Sequence, residues 1–118
     1  MSQRFATDIL IIGGGAAGLA AALHLADFYR VTLLSKGSME SGSSNWAQGG
    51  IAAVTDPIDS LECHESDTIN AGSGLCHLNT VKTVVESAPL VIEQLSQWGV
   101  DFDLRGNEYH LTKEGGHS

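Results

Sequence analysis

The chain has 118 residues, 42% of them hydrophobic, enough for one small domain with a buried core. Its net charge of −8 argues against nucleic-acid binding, which needs basic patches. No stretch reaches the ~18 uninterrupted apolar residues of a membrane span. Arg4 is the single basic residue ahead of the first apolar run, Asp8 sits against that run, and glycines interrupt it. That pattern argues against a secretory signal, so a cytoplasmic protein is expected.

Asp8-Ile9-Leu10-Ile11-Ile12 opens the organised sequence. Four consecutive large aliphatics predict a parallel strand buried on both faces. They run into Gly13-Gly14-Gly15-Ala16-Ala17-Gly18, a GxGxxG turn. Leu19 to Ala26 is an Ala/Leu run of high helix propensity. A GxGxxG string alone is a weak signal, but strand and helix flank this one in register. Gly13 permits the tight turn, Gly15 lets a pyrophosphate approach the backbone, and Gly18 lets helix and strand pack closely. Free N–H groups at the helix start favour phosphate charge.

Val31-Thr32-Leu33-Leu34-Ser35 predicts the second strand, at the spacing of a βαβ unit of about 30 residues. An acid at its end would bind the ribose hydroxyls of a nicotinamide dinucleotide. This chain has Ser35-Lys36 there, so these residues leave NAD and FAD both open. The segment Gly37 to Gly50 is polar and rich in Gly and Ser. A loop of that length without structure of its own is functional or disordered, and Trp46 with the apolar Ile51 to Val54 argues against disorder. Gly49 and Gly50 would let backbone amides approach a flat, polar-edged ligand.

Further along, residues 59–72 predict a helix ending at Gly72. Asn79 is a good N-cap for a short helix over Thr80 to Glu86. Ser87 would cap a second helix, with Pro89 in its first turn, an apolar face of Leu90, Val91, Leu95 and Trp98, and Gly99 at its C-cap. Val100 to Leu104 alternates like a strand, Arg105 to Glu108 is a turn, and Tyr109 to Leu111 returns. Two Cys-His dipeptides, Cys63-His64 and Cys76-His77, carry zinc-ligand chemistry. Without a CxxC spacing, and with adjacent helical residues pointing apart, no metal site is expected.

Taken together, the glycine fingerprint, Leu34-Ser35-Lys36-Gly37, Ala47-Gln48-Gly49-Gly50-Ile51-Ala52-Ala53 and the closing His110-Leu111-Thr112-Lys113-Glu114-Gly115-Gly116-His117-Ser118 resemble the L-aspartate oxidases. That family belongs with the flavoprotein subunits of succinate dehydrogenase and fumarate reductase. The resemblance implies an α/β, Rossmann-like FAD-binding fold. It implies FAD-dependent oxidation of L-aspartate to iminoaspartate in de novo NAD biosynthesis, with dioxygen or fumarate as acceptor. It places the pyrophosphate on Gly14, Gly15, Ala16 and Ala17, inside the fingerprint Gly13 to Gly18. Ser35 and Lys36 would lie on the adenosine side. Ser43, Ser44, Asn45, Trp46, Ala47, Gln48, Gly49 and Gly50 would wrap the pyrophosphate, ribityl chain and flavin. Respiratory relatives attach flavin to a histidine five residues before the Gln of this block; Ser43 stands there, and no histidine occurs between Lys36 and Gly50. Dissociable FAD is therefore expected.

Glu114 stands where the respiratory relatives usually carry an apolar residue. A carboxylate there would orient the substrate ammonium and disfavour dicarboxylates lacking one. His117 and Ser118 would belong to the substrate or flavin shell. No catalytic acid–base group is assigned within the 118 residues. Because L-aspartate oxidases are several times longer, the chain reads as the N-terminal part of an FAD-binding domain. By itself it would be inactive, and would associate with the remainder or with itself. A succinate- or fumarate-type flavoprotein and a non-catalytic nucleotide-binding module stand as alternatives.

Overall fold

The computed structural model describes residues 4–47, 49–113 and 116. Its contacts divide the chain into two compact units, Met1–Gly50 and Ile51–Ser118. Each is mixed α/β.

The first unit is built on β1 (Ile9–Ile12), α1 (Ala16–Ala26) and β2 (Val31–Leu34). The strands pair in parallel, Ile9 opposite Val31 through Ile12 opposite Leu34. A parallel neighbour demands a crossover, and α1 supplies it. The aliphatic run was expected to be buried on both faces. Instead it alternates: Ile9 and Ile11 are half-buried, while Leu10 and Ile12 are exposed. The reason is a single covering layer. Ile11 faces α1 at Gly18, and among the described residues α1 is the helix that packs against both strands.

The far end of the strand pair is stapled by charge. The Arg30 guanidinium donates from Nε to Asp8 Oδ2 (3.1 Å) and from Nη2 to Asp8 Oδ1 (3.0 Å). The Arg30 amide donates to the same Oδ2 at 3.0 Å. The guanidinium bonds first, and the amide bond second, hold the Asp8 carboxyl below its ordinary range. Thr7 Oγ1 donates to the carbonyls of Ile9 and Arg30, closing the same corner. The stretch after β2 is not the unstructured loop its composition suggests. It forms a 3-10 turn, Met39–Ser41, and the one-turn helix α2, Ser43–Trp46. Ser38 anchors the first of these by accepting from Ser41 Oγ at 2.7 Å.

In the second unit α3 (Leu61–Ala71) and α4 (Leu78–Gln97) pack together, followed by a hairpin of β3 (Leu104–Arg105) and β4 (Glu108–Tyr109). Ser60 caps α3, its hydroxyl accepting from the Cys63 amide at 3.0 Å. The helix ends before Gly72 as expected, but Gly72 has an ordinary helical φ of −73°. What demands glycine is space: a Cβ there would lie 2.1 Å from Cys76 Sγ.

The two short helices expected over 80–98 are one 20-residue helix. Its cap is His77 rather than Asn79, and Pro89 lies in its interior. Ser87 does not cap: its hydroxyl donates back to the Thr83 carbonyl at 2.7 Å, as Thr83 Oγ1 does to Asn79 at 2.9 Å. Proline costs one main-chain bond, to the Val85 carbonyl, but the apolar stripe runs through it unbroken. Val81, Val85 and Ile92 form the buried core, whereas the expected Leu90 and Val91 point outward at 68% and 47% exposure. Gly99 follows the helix at φ +92°, and the Val100 amide reaches the Leu95 carbonyl at 3.0 Å while the Gly99 amide bonds Ser96. This is a Schellman ending, which only glycine makes without strain.

The expected hairpin is present but short. Gly106, at φ +69°, takes the first central position of its two-residue turn. Phe102 and Tyr109 meet edge to face, centroids 5.8 Å apart. Among the described residues no helix is long and apolar enough to cross a membrane.

Candidate phosphate-binding site

Parallel strands open their carboxyl ends toward one side, and ligands of such sheets bind there. In the first unit that side carries Gly13 to Gly15 after β1, the first turn of α1, and Ser35-Lys36 after β2. The Gly13 amide donates to the Leu34 carbonyl at 2.9 Å, extending the ladder to the point where the chain turns.

The four glycines of the turn have four different surroundings. Gly13 sits at φ +118°, a conformation that side chains resist. A Cβ on Gly18 would lie 2.0 Å from the Gly13 carbonyl oxygen and 3.4 Å from Ile11 Cγ2. Gly18 therefore sets the closeness of α1 to β1. A Cβ on Gly14 would lie 2.9 Å from Met39 Cε and 3.1 Å from Met39 Sδ, so a neighbouring side chain fills that space. Gly15 is different. Its φ of −79° and ψ of 177° suit any residue, and a Cβ would meet only Ser44 Oγ, at 3.7 Å. Among the described residues neither backbone nor packing accounts for glycine at 15.

The α1 N-terminus has no acidic residue in its first turn, and its N-cap, Gly15, has no side chain to offer. Its first-turn amides, which have no partner within the helix, present partial positive charge. One of them, Ala16 N–H, donates to Ser44 Oγ at 3.3 Å. An oxygen from α2 thus already stands where a phosphate oxygen would accept. The chemistry is that of an anion cradle: amide donors, a helix dipole and room beside Gly15.

The residues expected at the site are placed as follows. Gly13, Gly14, Gly15, Ala16, Ala17 and Gly18 form the turn and the helix start, and Ser44 joins them by a hydrogen bond. Ser35 is half-buried and Lys36 exposed directly after β2. Ser43, Asn45 and Trp46 share α2 with Ser44, Trp46 being 81% exposed. Ala47, Gly49 and Gly50 follow, Gly50 at φ +154°. Gln48, Glu114, His117 and Ser118 lie outside the described residues. Sequence reasoning missed Met39 and its approach to Gly14. No pattern signals a methionine folding back over a turn from the next strand's loop.

The Cys-His dipeptides sit apart in the second unit's elements. Cys63 and His64 lie on α3; Cys76, whose Sγ donates to the Thr68 carbonyl at 3.6 Å, and His77 lie in the turn before α4. An open cleft of about 360 Å³ between α3 and α4 is lined mainly by Ala52, Thr68, Val81, Val84 and Val85 and by His64. No expected site residue lines it.

Comparison with known proteins adds the following. The family model described as FAD binding domain matches residues 8–118. The chain is similar to the L-aspartate oxidase of Pseudomonas aeruginosa, 48% identical over 126 aligned positions that cover 100% of this chain and 23% of that protein. It therefore spans about a quarter of the curated relatives it matches. Among solved structures it is similar to Mycobacterium smegmatis Sdh1 in complex with UQ1, at TM-score 0.87 and 27% identity over 99% of this chain and 20% of that one. It is also similar to the E. coli quinol fumarate reductase FrdA, at TM-score 0.82 and 33% identity over 95% of this chain and 20% of that one.

Proposed function

We propose a function that starts from one premise: the chain belongs to the FAD-binding domain family. Residues 1–118 are the pyrophosphate-binding part of a Rossmann-like FAD domain. In a protein of its relatives' length they serve the oxidation of L-aspartate to iminoaspartate, the first step of NAD biosynthesis. The observation that carries the cofactor reading is Gly15, whose missing side chain no contact among the described residues requires. The 48% identity to an L-aspartate oxidase carries the substrate reading.

Bound FAD supplies the acceptor for a hydride equivalent. The work of this chain is binding and orientation. The Ala16 and Ala17 amides and the α1 dipole hold the negative pyrophosphate. The Ser44 hydroxyl lies beside them as a hydrogen-bonding partner, and Lys36 faces the adenosine side. The residues from Ser43 to Gly50, Gln48 included, wrap the rest of the cofactor. Ser43 offers no nucleophile fit for flavin attachment, so FAD remains dissociable. Glu114 places a carboxylate against the substrate ammonium, and His117 and Ser118 contact substrate or flavin. Aspartate gives up its Cα hydride and an N–H proton; dioxygen or fumarate then takes the two electrons.

The test is an absorbance spectrum of the purified chain before and after FAD, then acid precipitation. Flavin bands that follow the protein and pass to the supernatant on acid support the reading. Flavin that stays with the precipitate overturns dissociable binding.

The likeness to Sdh1 and FrdA favours a second reading, a succinate- or fumarate-type flavoprotein. A chimera decides between them, with residues 8–118 replacing the matching segment of the Pseudomonas oxidase. Glu114→Gln in that chimera should impair aspartate turnover selectively. Equal loss with succinate would sink the role of Glu114.

A further inference from the structure

Met39 is one of only two methionines in the chain, Met1 being the other. It opens the 3-10 turn after β2, yet its thioether folds back over the turn after β1. Sδ and Cε lie 3.1 and 2.9 Å from where a Gly14 Cβ would be, with Leu33 Cδ2 3.6 Å from the same point. The side chain is a wedge between the β2 loop and the glycine turn. It is also 47% exposed, so a small oxidant reaches the sulfur. An unbranched thioether fills such a gap well; a sulfoxide is polar and chiral and does not.

We infer that Met39 is an oxidation site through which hydroperoxide chemistry loosens the phosphate turn and lowers flavin affinity. The sulfur lone pair attacks one oxygen of hydrogen peroxide. The O–O bond breaks, an S–O bond forms and water leaves; sulfur is oxidised by two electrons and peroxide is reduced by two. The new oxygen adds bulk and polarity to a sulfur that already lies 3.1 Å from the Gly14 Cβ position, so the sulfoxide no longer packs over the turn and turns toward water. The wedge therefore swings out, and Gly14 loses its cover on the Met39 side. The source of peroxide rests on the proposed function, because reoxidation of flavin by dioxygen yields it. The geometry of the wedge does not depend on that reading.

The test treats the full chain with limiting hydrogen peroxide, followed by dithiothreitol to reverse thiol disulfides and sulfenic acids. Peptide mapping follows Met39 and Met1 sulfoxides separately. Amide hydrogen exchange of the 13–19 segment is read before and after, together with the dissociation constant for FAD. Met39 oxidation should speed exchange at that segment several-fold and weaken FAD about fivefold. Methionine sulfoxide reductases should restore both. Met39→Leu keeps apolar bulk without an oxidisable sulfur, so peroxide should change neither reading in that variant. Unchanged exchange in the oxidised chain, or a peroxide response that persists in Met39→Leu, overturns the inference. If untreated chain binds no FAD, the dissociation constant is read in the chimera instead, while the exchange measurement still decides the role of Met39.

Discussion

Gly18→Ala and Gly15→Ala change the same residue type three positions apart and should behave oppositely. Helix propensity alone says that alanine at 18, inside α1, stabilises by about 1 kcal/mol. The structure says otherwise. The new Cβ would stand 2.0 Å from the Gly13 carbonyl oxygen. Even the shortest ordinary C···O contact is about 3.3 Å, so α1 must retreat by about 1.3 Å. That opens the helix–strand contact along its length, because the obstructing atom is backbone and cannot rotate away. Overpacking of this kind costs about 1–3 kcal/mol, and its upper part, about 2–3, applies where the obstructing backbone must move. Set against the propensity gain, the net effect is a loss of about 1–2 kcal/mol, a Tm lowered by roughly 4–8 °C. At Gly15 the backbone is already in a region open to alanine, and the one neighbour, Ser44 Oγ, stands at an ordinary 3.7 Å. Gly15→Ala should leave stability within about 0.5 kcal/mol. On the proposed function its methyl would enter the pyrophosphate's space, so FAD binding should weaken about tenfold, about 1.4 kcal/mol. Thermal unfolding and a flavin fluorescence titration read both. Gly18→Ala as stable as the parent would refute the close-packing account. Gly15→Ala with unaltered flavin affinity would refute the ligand account.

Asp8→Asn tests the staple. Arg30 holds the folded-state pKa of Asp8 below the unfolded value, so the folded chain binds fewer protons there. The stabilisation is present above the unfolded pKa of about 3.9 and is lost as pH falls through the lowered value. The stability difference between parent and Asp8→Asn should shrink steadily as pH falls below about 4; a constant difference would refute the linkage. Ser60→Ala removes the hydroxyl that accepts from the Cys63 amide. It should cost about 1 kcal/mol in a urea titration, and no change would mean water caps α3 as well. Pro89→Ala restores a donor for the Val85 carbonyl within α4. It should stabilise by about 2 kcal/mol, the ~3 kcal/mol of interior proline less up to ~1 for the freer unfolded chain. A lowered Tm would show that proline packs better there than alanine.

Much of this was legible locally. Ile9 to Ile12, Val31 to Leu34 and the intervening Ala/Leu helix follow from composition and period, and their spacing dictates a parallel pair. GxGxxG is legible because backbone conformation and phosphate approach each select glycine at a particular offset. Ser60 before α3 is legible because its hydroxyl serves the helix to which it belongs. Pro89 misled because proline's local preference for a first turn was overridden by a continuous stripe of Val81, Val85 and Ile92 against α3. A twenty-residue helix survives one missing hydrogen bond when its apolar face stays covered along its length.

What depends on atoms near in sequence was thus determined by the sequence: the paired strands, the helix between them and the glycine turn. What depends on atoms brought from elsewhere was decided by tertiary structure alone. One layer of helix over β1 makes its burial one-sided. Cys76 Sγ, not φ, excludes a side chain at Gly72. Met39 arrives from beyond β2 to occupy Gly14, and Ser44 arrives to bond Ala16. A sequence shows where a side chain is missing, but only packing shows whether protein or ligand fills the space, because filling is a matter of distance in three dimensions.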